Sequence, residues 1–160
     1  ENYEFVRYEG YAPHGVAVMV DCLTDNKNRT AGDVRSTFTK RGGNLGTDGS
    51  VSYMFDIKGI IVLPKTYDED MLMTLALDND CLDFVVNDDS YEIYTSYEDF
   101  IKMNNVLNEN NITEFIMNET RYIPQNYISL NDEDKEKIYN LIETLEDLDD
   151  VQDVYHNMEE

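Results

Sequence analysis

The chain has 160 residues, 41% of them apolar, and a formal net charge of −22. That length suits one ordinary domain or two small ones, and the apolar share supports a real core, which excludes wholesale disorder. No apolar run approaches a bilayer span, and the acidic start Glu1-Asn2-Tyr3-Glu4 has no apolar stretch behind it, so neither a membrane segment nor a secretory leader is expected and the default location is the cytoplasm.

The first clear element is the β-branched run Val16–Leu23, a strand that ends at the polar cluster Thr24–Asn28. From about Thr30, Ala31, Val34 and Phe38 fall at helical spacing, and Gly42-Gly43 stops the helix. Val51, Tyr53 and Phe55 alternate with polar partners as a second strand. Lys58-Gly59 then turns the chain into Ile60–Leu63, which Pro64 closes. The pattern is strand, helix, strand, strand.

A second unit is expected from Lys65. Asp68 caps a helix with Leu72, Leu75 and Ala76 inward, and Leu82–Val86 and Tyr91–Thr95 form a hairpin around Asn87–Ser90. Ser96 with Asp99 starts a helix carrying Phe100, Met103 and Leu107, and Ile112–Met117 is a further strand. Asn131 caps a last helix with Ile138, Leu141, Ile142, Leu145 and Leu148 in register, before the strand Val151–His156. One helix and one strand cannot make a domain, so they dock on an earlier unit. The expectation is an α+β protein of two small α/β sandwich domains built from ferredoxin-like βαβ units, residues 65–130 being inserted into a domain of residues 1–64 plus 131–160.

Charge divides unevenly. Residues 1–65 hold eight basic and eight acidic groups, whereas the remainder holds four basic and twenty-six acidic ones. Acidic surface repels phosphate backbones, so any nucleic-acid contact must lie in the first part. Five of the twelve basic residues, Lys27, Arg29, Arg35, Lys40 and Arg41, gather there between Asn26 and Asn44. Arginine forks, Asn/Thr side chains such as Asn26, Thr30 and Asn44, and flexible glycines are the groups that grip phosphate and sugar. A surface merely solvated, or paired with nearby carboxylates, accounts for the same residues, and the sequence leaves both readings open.

Catalytic and metal patterns are absent. His14 sits in a Pro-His-Gly turn and His156 on the last strand, neither in a triad-like or metal-ligand spacing. Cys22 and Cys81 read as small buried residues. The acidic clusters around Asp78–Asp80, Asn87–Asp89 and Asp147–Asp150 lack the calcium-loop pattern and suit turns and helix ends. The Gly-rich loop Arg41–Ser50 follows a helix, so it presents a helix C-terminus, the wrong dipole end for a nucleotide phosphate. No enzyme activity, cofactor or metal is expected.

Several motifs occur together at both ends of the chain. They are Tyr8-Glu9-Gly10-Tyr11, Gly15-Val16-Ala17-Val18, Thr24–Ala31, Val34-Arg35, Gly42–Gly46, Gly49–Phe55 and Asp150–Asn157. In these the chain resembles the YebC family, which includes PmpR-type bacterial regulators and the mitochondrial translational activator of cytochrome c oxidase subunit I. The resemblance implies two α/β domains, the last inserted into the other, preceded by a basic helical domain absent from this chain. It also implies no enzyme activity and a role as DNA-binding transcriptional regulator or ribosome-associated factor that relieves stalling. The implied partners are promoter DNA or ribosomal and transfer RNA, with the ribosome among them, contacted through Asn26, Lys27, Arg29, Thr30, Arg35, Lys40, Arg41 and Asn44. Without the basic domain that contact is expected to be weak. The competing expectation is a protein-binding module acting through the acidic second domain. The Tyr11–Gly15 turn departs from the family's glycine-richer version.

Overall fold

The computed structural model describes residues 2–160. The chain forms two compact units, one of Glu1–Asp56 with Pro124–Glu160, the other of Ile57–Ile123. Each is an antiparallel-paired sheet with helices packed on it, and the second unit is inserted in the chain of the first. Among the described residues no helix is long and apolar enough to cross a membrane.

The first unit contains β1 (Glu4–Tyr11), β2 (Ala17–Thr24), α1 (Lys27–Lys40), β3 (Asn44–Leu45), α4 (Asp132–Glu146) and β8 (Val151–His156), with strand order β3-β1-β2-β8. β1 and β2 form an antiparallel hairpin from Glu4↔Thr24 to Tyr11↔Ala17. Sequence reading passed over β1 because its alternation is masked by charge: Arg7 and Glu9 occupy one face, and Arg7 is neutralised across the hairpin by Asp21 at 2.6 Å. Val18, Val20 and Cys22 of β2 meet Val34 and Phe38 of α1 and Ile138, Leu141 and Leu145 of α4, all fully buried. Fully burying side chains of this size stabilises by about 1.5–3 kcal/mol each.

The second unit runs β4 (Phe55–Pro64), α2 (Glu69–Asp78), β5 (Asp83–Val86), β6 (Ser90–Ser96), α3 (Phe100–Glu109) and β7 (Met117–Pro124), in sheet order β5-β6-β4-β7. This is the ferredoxin-like βαββαβ order, with each helix crossing over one intervening strand. Its core joins Ile61, Leu63, Leu72, Ile93, Met103 and Leu107.

Three expectations change. The strand expected at Val51–Phe55 is a 3-10 turn over Ser52–Met54, and the short strand of this region is β3 instead. The run Ile60–Leu63, expected in the first domain, belongs to the second sheet, where β4 pairs with β6 from Lys58↔Ser96 to Pro64↔Ser90. The compact units accordingly divide at 56/57 and 123/124, ahead of the expected 64/65 and 130/131. Finally, the strand expected at Ile112–Met117 starts only at Met117.

Candidate nucleic-acid interface

The basic segment is built around α1. Asn26 caps it, its side chain accepting from the Arg29 backbone N–H at 3.1 Å. The helix thus begins three residues ahead of its apolar stripe, and Lys27 and Arg29 lie in its first turn. Thr30, Val34, Thr37 and Phe38 form the buried face, which turns the charged residues outward.

Asp150, just before β8, organises the start of this helix. One oxygen, Oδ2, lies 3.0 Å from the Thr24 hydroxyl, 2.7 Å from the Thr30 hydroxyl and 2.8 Å from the Arg29 guanidinium. The Arg29 and Thr30 hydrogen bonds hold the Asp150 carboxyl down at about 2, against the opposing effect of desolvation. Reciprocally, Asp150 raises the Arg29 pKa, chiefly through that hydrogen bond. Asp25 makes a second, longer contact with Arg29 at 3.3 Å. Of the residues singled out from sequence, Asn26, Arg29 and Thr30 therefore serve the helix start, although half of the Arg29 side chain remains exposed.

Lys27, Arg35, Lys40 and Arg41 differ. All four are exposed, and among the described residues none of their side chains has a hydrogen-bond or ion-pair partner. They do not share one face. At about 100° per residue, Arg35 lies about 80° from Lys27 and about 140° from Lys40 around the helix. Lys40 and Arg41 sit at the C-terminal end, where Arg41 is the C-cap and the dipole favours cations. Asn44 is exposed on β3, at the edge of the sheet. Gly10 and Gly43 make that edge possible: a Cβ would lie 2.6 Å from the Asn44 carbonyl at the first and 2.4 Å from the Tyr11 carbonyl at the second.

The glycine-rich loop is occupied from within. The buried Glu9 carboxylate accepts from the backbone N–H groups of Gly49 at 2.7 Å, Val51 at 3.0 Å and Ser52 at 2.6 Å. Burial works to raise the Glu9 pKa, but these hydrogen bonds outweigh it and the net shift is downward. The donors that could cradle a phosphate already hold a carboxylate. Beside the start of α1, a cleft of about 400 Å³ is lined by Arg29, Thr30, Asp33, Asp147, Leu148 and Asp150, too rich in carboxylates to attract an anion. Carboxylates also crowd the neighbouring helix, since residues 124–160 carry two lysines against twelve acidic groups. No group of three or more His, Cys, Asp or Glu among the described residues is placed to hold a metal. The Cys22 thiol, fully buried, is pushed up to about 12 by burial and then by Asp150 and Asp21.

Asp150 and Glu9 were missed as organising residues. Each lay inside a quoted motif, but nothing local distinguishes a carboxylate that will accept three hydrogen bonds from one that caps a turn.

The fold and surface define a two-domain α+β protein whose exposed, unpaired cations in the first unit ride on one helix and its end. Residues 3–158 match the family described as TACO1/YebC second and third domain. The chain belongs to this family. It is 51% identical to a probable transcriptional regulatory protein of Geobacillus kaustophilus, the match covering 99% of this chain and 65% of the relative. A protein of the same description from Clostridium botulinum is 48% identical, again over 99% of this chain and 65% of its own length. The crystal structure of a conserved hypothetical protein from Aquifex aeolicus superposes with a TM-score of 0.85 at 40% identity, covering 99% of this chain and 66% of that one. The chain thus spans just under two thirds of the curated relatives it matches.

Proposed function

We propose that the chain is part of a regulator of gene expression that acts by contacting nucleic acid, without bond chemistry. The observation that carries this reading is the set of exposed, unpaired cations on α1 and its C-terminal end, Lys27, Arg35, Lys40 and Arg41, in an otherwise strongly acidic chain. Unpaired heads are free to neutralise phosphates, while Asn26, Arg29 and Thr30 hold the helix start in place and Asn44 adds a hydrogen-bonding group at the sheet edge. The naming of relatives as probable transcriptional regulatory proteins supports the same class.

The contacts are to backbone rather than bases, since the cations are spread around the helix and form no compact reading face. Promoter DNA and ribosomal or transfer RNA are both suitable targets. Lys27→Ala with Arg35→Ala, in protein of the relatives' full length, is expected to weaken binding of both a labelled duplex and a labelled single-stranded RNA. It should also reduce the slope of log K against log salt by about 1.8 for duplex DNA, about 0.9 per lost phosphate contact. An unchanged slope would remove α1 from the contact. Co-sedimentation with ribosomes at physiological salt separates the two targets.

A second reading rests on residues 57–123, which hold fourteen acidic groups against four basic ones. In it the acidic unit binds protein, and the double substitution leaves partner binding unchanged.

A further inference from the structure

Residues 157–160 follow β8 as a strap over the first unit. Asn157 is fixed to β2: its side chain accepts from the Ala17 N–H at 2.8 Å, and its own N–H donates to the Ala17 carbonyl at 3.3 Å. Beyond it the chain runs parallel to Ile128, on the segment that returns from the inserted unit to α4. The Ile128 N–H donates to the Asn157 carbonyl at 2.7 Å, and the Glu159 N–H donates to the Ile128 carbonyl at 2.8 Å. Met158 lies between these bonds and is buried in the core of the unit, with Ile128 packed against it.

One side chain decides whether this strap can lie down. The Met158 N–H donates to Nδ1 of His156 at 3.1 Å. An imidazole nitrogen accepts only while it carries no proton, so the ring is neutral here with its hydrogen on Nε2. His156 is largely buried, with 13% of its side chain exposed, and it stands opposite the apolar Val18 on β2. Among the described residues, the charged group within ion-pair reach is Glu160, 3.6 Å from Nε2. From α4, the Tyr139 hydroxyl meets the same Glu160 side chain at 3.4 Å, and burial pushes that phenol up, so it stays neutral near pH 7. Burial lowers the His156 pKa, and Glu160 offsets this only in part. A proton on Nδ1 sets two N–H groups against each other and places a charge in a largely buried site.

We propose that His156 is a proton-sensitive catch: taking up a proton at Nδ1, it frees Met158–Glu160 from Ile128 while Asn157 stays anchored to β2. With the strap open the ring is solvated and binds a proton more readily than in the closed form, so protons favour opening. The closed form is fully favoured above the ordinary imidazole value of about 6.5 and weakens as pH falls below it. Opening leaves the Ile128 carbonyl without its donor, and the return segment ahead of α4 loosens with the strap. His14, the other histidine, responds in the opposite sense, because its Nε2 lies 3.1 Å from Asp134 and a proton there strengthens the contact. The catch does not depend on the nucleic-acid contact.

Amide hydrogen exchange of the whole chain, read residue by residue by NMR between about pH 8 and about pH 5, tests the catch. Corrected for the intrinsic exchange rate, protection of the Met158 and Glu159 N–H groups should fall by up to about tenfold per pH unit below about 6.5. The His156 ring resonances should titrate over the same range. The Ala17 N–H, held by Asn157, should keep its protection, which separates opening of the strap from loss of the fold. His156→Asn places a carboxamide oxygen near the position of Nδ1, an acceptor that takes up no proton, and should hold the strap closed throughout. His14→Gln should leave the wild-type response intact. In the wild type, protection at Met158 and Glu159 that ignores pH, or an equal loss at Ala17, would overturn the proposal without any variant having to fold. A pH response that survives in His156→Asn, or that vanishes in His14→Gln, would overturn it as well.

Discussion

The two compact units reach the same two-layer design by different routes. Residues 57–123 close a sheet and two helices from one continuous stretch, and the buried polar side chains there are only Ser90 and Thr95. The other unit is assembled from two stretches separated by that insertion, and it buries Glu9, Asp21, Thr24, Thr30, Thr37 and Asn157. Hydrophobic burial is non-directional, so it brings the returning segment back without fixing its register. Directional polar contacts supply what is missing. Asp150 grips Thr24, Arg29 and Thr30, and the Asn157 side chain accepts from the Ala17 N–H at 2.8 Å. Discontinuity in the chain is matched by directional polar ties across the junction.

The most severe test of this contrast is to cut the chain. Residues 57–123 alone should give a dispersed amide spectrum and a cooperative melt. Residues 1–56 alone should not, because they lose Ile138, Leu141, Ile142, Leu145, Val154 and Met158 from the shared core. At about 1.5–3 kcal/mol per side chain, that loss exceeds much of the about 5–15 kcal/mol of a whole domain. A folded 1–56 fragment would break the comparison. Within the intact chain, Phe38→Ala, at a fully buried site, is expected to cost about 3–5 kcal/mol in denaturant unfolding. Because the cores are separate, its effect should fall on the transition of the first unit and spare that of the second.

A smaller loss is expected at the loop. Glu9→Ala strands the N–H groups of Gly49, Val51 and Ser52 and should cost about 1–3 kcal/mol, with faster hydrogen exchange confined to those amides. The Glu9 pKa is lowered in the folded protein, so its contribution is present above the unfolded carboxyl value and fades as pH falls below it. Exchange rates that stay unchanged would mean the carboxylate is not what holds the loop.

Periodic elements were legible in the sequence because their signals are local. The helices start at caps and stripes visible in one stretch, as at Asp68 and Asn131. The return of α4 and β8 followed from counting what a lone helix and strand cannot do. β1 was hidden because Arg7 breaks its alternation and is neutralised only by Asp21 on another strand. The shift from a strand at Val51–Phe55 to a turn has the same origin, since Glu9 claims the N–H groups of Val51 and Ser52 that a strand would have paired. At the basic segment, the charge was plain but its division was not. Arg29 and Arg35 look alike in sequence, and only the return of Asp150 makes one a strut and leaves the other free.

The gentlest test addresses that strut. Asp150→Asn keeps the shape and one acceptor but removes the charge that pairs with Arg29. The wild-type carboxyl titrates at about 2, below the value of about 3.9 for an unpaired aspartate, so the unfolded chain takes up this proton first as pH falls. Its stabilisation is complete above about 3.9 and drains away toward about 2. The gap in melting temperature between wild type and Asp150→Asn should therefore be constant near neutrality and close across that acid window. Because Arg29 is half exposed, raising salt should narrow the same gap at neutral pH. A gap that persists unchanged at pH 2 would show that Asp150 acts through packing, and the side-chain polar tie between the two stretches would then rest on Asn157 and its bond from the Ala17 N–H.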